Sequence, residues 1–219
     1  MNIILLGATG MVGQGVLREC FLDPDVKHVL ALGRSSTGQH HEKFRDLVHP
    51  DLFNLSPIES QLSGYDVCLF CLGQSSVGMS EADYRRVTYD LTLSVAQTLV
   101  KLNPAMTFIY VSGAGTDSTA TGRTMWARVK GQIENALLQL PFKAAYMFRP
   151  AGIVPMHGIR SKTRLYRIIY YLTAPFLRGS HKYFPKYITT TEQLGRAMLK
   201  VAKQDYPKPI LESADINAL

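Results

Sequence analysis

The stretch GATGMVG, Gly7 to Gly13, follows directly on the apolar run NIILL and leads directly into a helical pattern from Val12 to Leu22. Three glycines spaced by three at a strand-to-helix turn constrain the fold more than any other feature of the chain. Gly7 permits the tight turn, Gly10 lets a pyrophosphate approach the backbone, and Gly13 lets the helix pack closely on the strand. The helix start then offers unpaired N–H donors and a dipole that favours an anion. At this place in a chain the motif predicts dinucleotide binding; the plainer alternative is a glycine turn that only shapes the backbone.

The rest of the chain repeats the same rhythm. Strand-like runs HVLALG, FRDLVH, DVCLFCLG, TFIYVSG and AAYMFRP alternate with helical patterns over Ser80–Leu102, Gly122–Leu140 and a later LGRAMLKVA. Such βαβ units close right-handed into a parallel sheet, which predicts a Rossmann-type, doubly wound α/β fold with helices on both faces. Ser80 is read as a helix N-cap with Asp83 three residues on, and Thr189 as another with Glu192. Pro141 ends the helix that carries Lys130, and a short strand is expected around Pro209 to Glu212. At 219 residues, this is one NAD(P)-binding domain over 1–219 with a small C-terminal appendage. The start MNIILLGATG has no basic n-region and reads as a first strand and not as a signal peptide, so a cytoplasmic protein is the expectation.

The net charge of +7 is local: between Met156 and Tyr187 stand Arg160, Lys162, Arg164, Arg167, Arg178, Lys182 and Lys186 without one Asp or Glu. Mixed with Tyr166, Tyr170, Tyr171, Phe176, Tyr183 and Phe184, the segment 156–187 is read as a basic aromatic lid over the substrate side. A plain packed helix and contact with a membrane surface or an acidic protein are the alternatives. No nucleic-acid motif accompanies the charge, so nucleic acid is not expected. Cys20, Cys68 and Cys71 are too few for a disulfide framework, and Cys68 and Cys71 point to opposite faces of a strand, so no metal site is expected; His40 and His41 read as solvated loop residues.

The second strand ends ALGRSS, with Arg34 followed by Ser35 where an NAD-preferring site usually carries an acid. A basic residue suits a 2′-phosphate, so NADP is expected ahead of NAD. With GATGMVG, Arg34, the FCLG turn, YVSG, W-A-R-V-K-G and FRPAGIVP in that order, the chain resembles the short-chain dehydrogenase/reductase superfamily. It looks most like the atypical, epimerase-like branch that includes the Tat-interacting oxidoreductase-like proteins. The resemblance implies that Gly7, Thr9, Gly10, Met11, Val12 and Gly13 hold the pyrophosphate, that Arg34 and Ser35 meet the adenosine phosphate, and that Leu72 and Gly73 lie against the adenosine ribose. It places Ser112 and Lys130 at the catalytic Ser and Lys, and Pro150, Gly152, Ile153 and Val154 beside the nicotinamide.

Two departures alter half of the usual catalytic tetrad. The Tyr four residues before the Lys is Trp126, and the Asn of the preceding long helix aligns with Thr88. In the family mechanism the Tyr hydroxyl protonates a carbonyl as hydride arrives, whereas an indole N–H polarises without protonating. That loss is worth about 10²–10⁴-fold, so simple ketone reduction suffers, although a quinone needs less help and water or Lys130 can supply the proton. The sequence thus points to a weak or specialised NADP-dependent oxidoreductase on a small carbonyl or quinone, apolar or anionic. Ser112 and Trp126 then orient the substrate, and Lys130 the cofactor ribose. The alternatives are a silent NADPH-sensing protein and a nucleotide-sugar epimerase.

Overall fold

Strand β1 (Asn2–Leu6) shows why this chain needs helices on two sides. Side chains alternate along a strand, so Ile3 and Leu5 enter one apolar cluster and Ile4 and Leu6 the other, all four fully buried. A strand apolar on both faces sits inside a sheet covered twice. The computed structural model describes residues 1–159 and 186–219.

Helix α1 (Met11–Leu22) follows β1, then β2 (His28–Gly33), β3 (Phe44–Val48), a 3₁₀ turn (Ser56–Gln61) and β4 (Val67–Phe70). A long helix comes next as α2 (Glu81–Arg85), a π-helical turn (Arg86–Asp90) and α3 (Leu91–Leu102). Then come β5 (Thr107–Val111), α4 (Met125–Gln139), β6 (Ala144–Arg149), β7 (Gly152–Val154), β8 (Ile188–Thr190), α5 (Thr191–Lys203), β9 (Ile210–Glu212) and α6 (Ser213–Ala218). Seven strands form one parallel sheet in the order β3-β2-β1-β4-β5-β6-β9. The strand order reverses at β1 and β4, and the crevice beyond their carboxyl ends is where an open α/β sheet takes its ligand. The fold is the expected Rossmann-type α/β architecture.

Small residues set the close approaches. A Cβ on Gly13 would lie 2.0 Å from the Gly7 carbonyl oxygen, and one on Gly15 would lie 2.6 Å from Cβ of Thr191 on α5. The first contact ties helix to strand, the second α1 to α5. Local signals mostly match: Ser80 Oγ accepts from the Asp83 N–H at 3.1 Å. The later cap falls one residue beyond its expected place, because Thr190 accepts from the Gln193 N–H while Thr189 is fully buried in β8. His41 is also not a free loop residue; its ring stacks on Phe21 at 4.2 Å. Cys68 joins the apolar cluster on one side of the sheet and Cys71 packs against the other, so the C-x-x-C does not converge.

Strands β7 and β8 pair as a two-stranded parallel ribbon, Gly152 with Ile188. The parallel register sets the two ends of the 156–187 segment at opposite ends of the ribbon: the Gly152 N–H donates to the Tyr187 carbonyl at 2.8 Å, and the Met156 N–H donates to the Thr191 hydroxyl at 3.1 Å. The basic and aromatic residues named for the lid, apart from Lys186, lie outside the described residues.

Candidate functional site

A cleft of about 790 Å³ opens at the carboxyl ends of β1, β2, β4 and β5. Gly7 turns with φ at +82°, a conformation glycine adopts freely, and a Cβ there would press to 2.6 Å on the backbone of Cys71. The Gly10 N–H closes the turn on the Gly7 carbonyl at 2.8 Å, and the Gly10 carbonyl accepts the first helical bond from Gln14 at 2.9 Å. Gly10 caps α1 without a side chain, and the first turn holds no acid. The N–H groups at the start of α1 therefore face the cleft with nothing competing for an anion. This bare backbone cradle fits a dinucleotide pyrophosphate.

The cleft wall gathers Gly7, Thr9, Gly10, Met11, Val12, Arg34, Ser35, Leu72, Gly73, Ser112, Trp126, Lys130, Pro150 and Ile153, residues expected at the cofactor or the substrate from six separate sequence stretches. Three expected contacts are corrected. Gly13 stands behind the loop, filled against Gly7, and acts in packing. Gly152 and Val154 are held in the β7–β8 ribbon, and Val154 is buried away from the cleft.

At the far end of β2, Arg34 is exposed and has no partner among the described residues. One carboxylate does reach this wall from β3, that of Asp46, which sequence reasoning passed over. Its Oδ2 already accepts from the Ser36 hydroxyl at 2.7 Å, the Thr37 N–H at 2.9 Å and the Thr37 hydroxyl at 3.0 Å. Asp46 shapes the Arg34 loop and leaves its guanidinium unneutralised.

The other end of the cleft is built on one face of α4. Trp126, Lys130 and Glu134 recur every four residues and so share that face. Trp126 packs beside the loop after β5: a Cβ on Gly115 would meet its ring at 3.4 Å. Among the described residues the indole N–H has no acceptor. The half-buried Lys130 ammonium donates to the Ser112 carbonyl oxygen. Burial lowers its pKa to about 8, with the Glu134 charge opposing part of the fall.

Ser112 is 8% exposed, and its hydroxyl lies 2.5 Å from Glu134 Oε1 and 3.2 Å from the Phe148 carbonyl. Glu134 is itself fully buried and held by the Arg149 guanidinium, whose Nε reaches both carboxylate oxygens at 3.1 Å. Arg149 also donates to Ser118 Oγ at 2.6 Å and reaches Glu212 at 3.4 Å. Glu134 and Arg149 went unread in the sequence; the usable signals were Glu134 one turn beyond Lys130 and a lone charge closing AAYMFR. Thr88 is buried within the π-helical turn, an irregularity that often marks a functional position. Tyr110 is buried among Phe70 and Phe108, and burial drives its hydroxyl well above its ordinary pKa, so it offers no replacement acid.

No model of a known protein family matches the chain. It is 26% identical to the mitochondrial protein FMP52 of Eremothecium gossypii over 223 residues, which spans 100% of this chain and 97% of that protein. It is 26% identical to protein HTATIP2 of Rattus norvegicus over 155 residues, 70% of this chain and 63% of that one. A short chain dehydrogenase/reductase of Saccharomyces cerevisiae superposes with a TM-score of 0.67 at 13% identity, covering 98% of this chain and 97% of that one. The enzyme WbmF of Bordetella bronchiseptica, solved with NAD+ and UDP, gives 0.68 at 14% identity over 99% and 75% of the two chains.

The cytoplasmic expectation is overturned by these relatives. FMP52 proteins of Candida albicans, Eremothecium gossypii, Saccharomyces cerevisiae and Emericella nidulans are all named mitochondrial. The strand order and these likenesses give the chain the Rossmann-type fold of the short-chain dehydrogenase/reductase proteins it is similar to, and its glycine cradle has the shape that a dinucleotide pyrophosphate fits.

Proposed function

We propose that the protein is an NADP-dependent oxidoreductase acting on a small carbonyl or quinone. The observation that carries the reading is a single cleft in which the glycine cradle and the unneutralised Arg34 lie at one end and Ser112, Trp126 and Lys130 at the other. A guanidinium with no carboxylate partner favours a cofactor carrying a 2′-phosphate over one with a bare ribose. When bound, the reduced nicotinamide supplies hydride. Trp126 gives the substrate a flat apolar wall, and the free lone pairs of Ser112 leave it an acceptor.

The test is a fluorescence titration, since Trp126 is the sole tryptophan. Quenching at micromolar NADPH, weaker with NADH, supports the cofactor reading; no quenching by either, with calorimetry also silent, defeats it. Turnover is then sought across aldehydes, ketones and quinones with consumption of NADPH as the signal.

A second reading has its own observation. Ser112 commits its O–H to Glu134, and the usual Tyr is Trp126, so two groups that normally address a carbonyl oxygen are altered. A protein that binds NADPH without turnover, and reports it to a partner, fits those changes. Binding without oxidation of NADPH across the whole panel selects it.

A further inference from the structure

Among the described residues, the substrate end of the cleft holds few groups able to give up a proton. Among the described residues of its wall, the ionisable side chains are Arg34, Asp46, Cys71 and Lys130. Arg34 and Asp46 belong to the adenosine end. The Cys71 thiol is pushed far above its ordinary pKa by burial, with the neighbouring Cys20 adding to the rise. Ser112 has one proton and gives it to Glu134 or to the Phe148 carbonyl, both inside the protein. Trp126 carries an N–H that does not dissociate in the working range. Lys130 is left, one helical turn beyond Trp126, with three ammonium N–H groups and a single partner among the described residues, the Ser112 carbonyl.

Resting on the oxidoreductase reading above, we infer that the Lys130 ammonium is itself the proton donor to the substrate oxygen, in the place left by the missing tyrosine. One N–H bond of Lys130 breaks and an O–H bond forms on the carbonyl oxygen. The carbonyl carbon meanwhile receives hydride from NADPH, and the C=O π pair passes to oxygen. The products are an alcohol, NADP+ and a neutral Lys130 amine, which regains a proton from solvent. The remaining Lys130 hydrogen bond to Ser112 keeps the amine in place through the cycle. The burial that lowers its pKa toward 8 brings the group close to the range in which a general acid works best. Reduction by this route needs the ammonium form, so its rate falls as pH rises through the Lys130 pKa.

Lys130→Arg separates the proton from the charge, because a guanidinium keeps N–H donors and a positive charge but does not deprotonate in the working range. The expected result is that Lys130→Arg, measured at NADPH concentrations that saturate the Trp126 quenching of each protein, shows single-turnover reduction of an aromatic aldehyde lowered by about 10²-fold or more. A readout independent of turnover follows the lysine amines by NMR after reductive ¹³C-methylation, the Lys130 signal being the one absent in Lys130→Arg. Its titration near pH 8, below the other lysines, supports the proposal, and an ordinary lysine value overturns it. Full turnover in Lys130→Arg, or a wild-type rate flat from pH 6 to 10, overturns it as well. NADPH quenching without reduction of any carbonyl defeats both this inference and the oxidoreductase reading, while absent quenching defeats the cofactor reading first.

Discussion

The Ser112 hydroxyl lies 2.5 Å from Glu134 Oε1, inside the protein and one helical turn past Lys130. Glu134 is fully buried and Arg149 is 7% exposed, so neither charge has enough water to stand alone. Each is stable only while the other is present. Glu134→Ala is expected to leave the Arg149 guanidinium buried with only the more distant Glu212 as a charged partner, at a cost of about 3–5 kcal/mol. Urea unfolding measures this directly. A loss under about 1 kcal/mol would mean that Glu212 and Ser118 suffice for Arg149 and that the pair matters only for aiming Ser112.

Lys130 makes stability depend on pH with an unusual sign. Its pKa is about 8 in the folded protein, against an ordinary lysine value of 10.5. Between those two values the unfolded chain holds the proton and the folded chain has released it, so stability rises with pH across that window. Below pH 8 both states are protonated and the burial cost of the charge is fully present. In Lys130→Met this contribution is gone. The difference in unfolding free energy between wild type and Lys130→Met is therefore expected to shift in favour of the wild type by up to about 3 kcal/mol from pH 7.5 to 10.5. Parallel pH profiles would show that the amine is hydrated in the folded state.

Arg34 is expected to decide between the two dinucleotides. It is exposed at the cleft, and the Asp46 carboxylate is tied to Ser36 and Thr37 rather than to it. A charge-assisted bond to a phosphate is worth about 1.5–3 kcal/mol, or roughly 10- to 150-fold in affinity. Arg34→Ala should weaken NADPH by that factor and leave NADH within about 2-fold. Calorimetry on both cofactors checks it, and equal weakening of the two would assign Arg34 to shaping the loop.

The fold and the cofactor end were legible because backbone demands are written locally. Gly7 must turn at positive φ and Gly13 must clear a carbonyl, and no other residue type meets both needs. The alternating apolar strands then fix where that turn stands in the sheet. The substrate end was less legible because its order is tertiary. Arg149 closes β6, Glu134 stands on α4 and Ser112 follows β5, and no spacing along the chain announces that the three converge. Thr88 was located by alignment with a family pattern, but the π-helical turn that holds it has no residue signature of its own. The family resemblance sets Gly152 and Val154 beside the nicotinamide together with Pro150, whereas in the structure the two pair with β8.

Trp126→Tyr tests how much catalysis the native chain has retained. The variant places a phenol at the first turn of α4, one turn before the Lys130 ammonium, whose charge lowers a nearby phenol's pKa. If the native site had no acid, restoring one would raise carbonyl reduction by about 10²–10⁴-fold. Lys130 already gives the proton in the scheme above, so the expected gain is about 10-fold or less. With the only tryptophan removed, NADPH binding in this variant is read by calorimetry. A gain of 100-fold or more, from a native rate near zero, would instead identify the wild type as a dinucleotide binder whose chemistry was lost with the tyrosine.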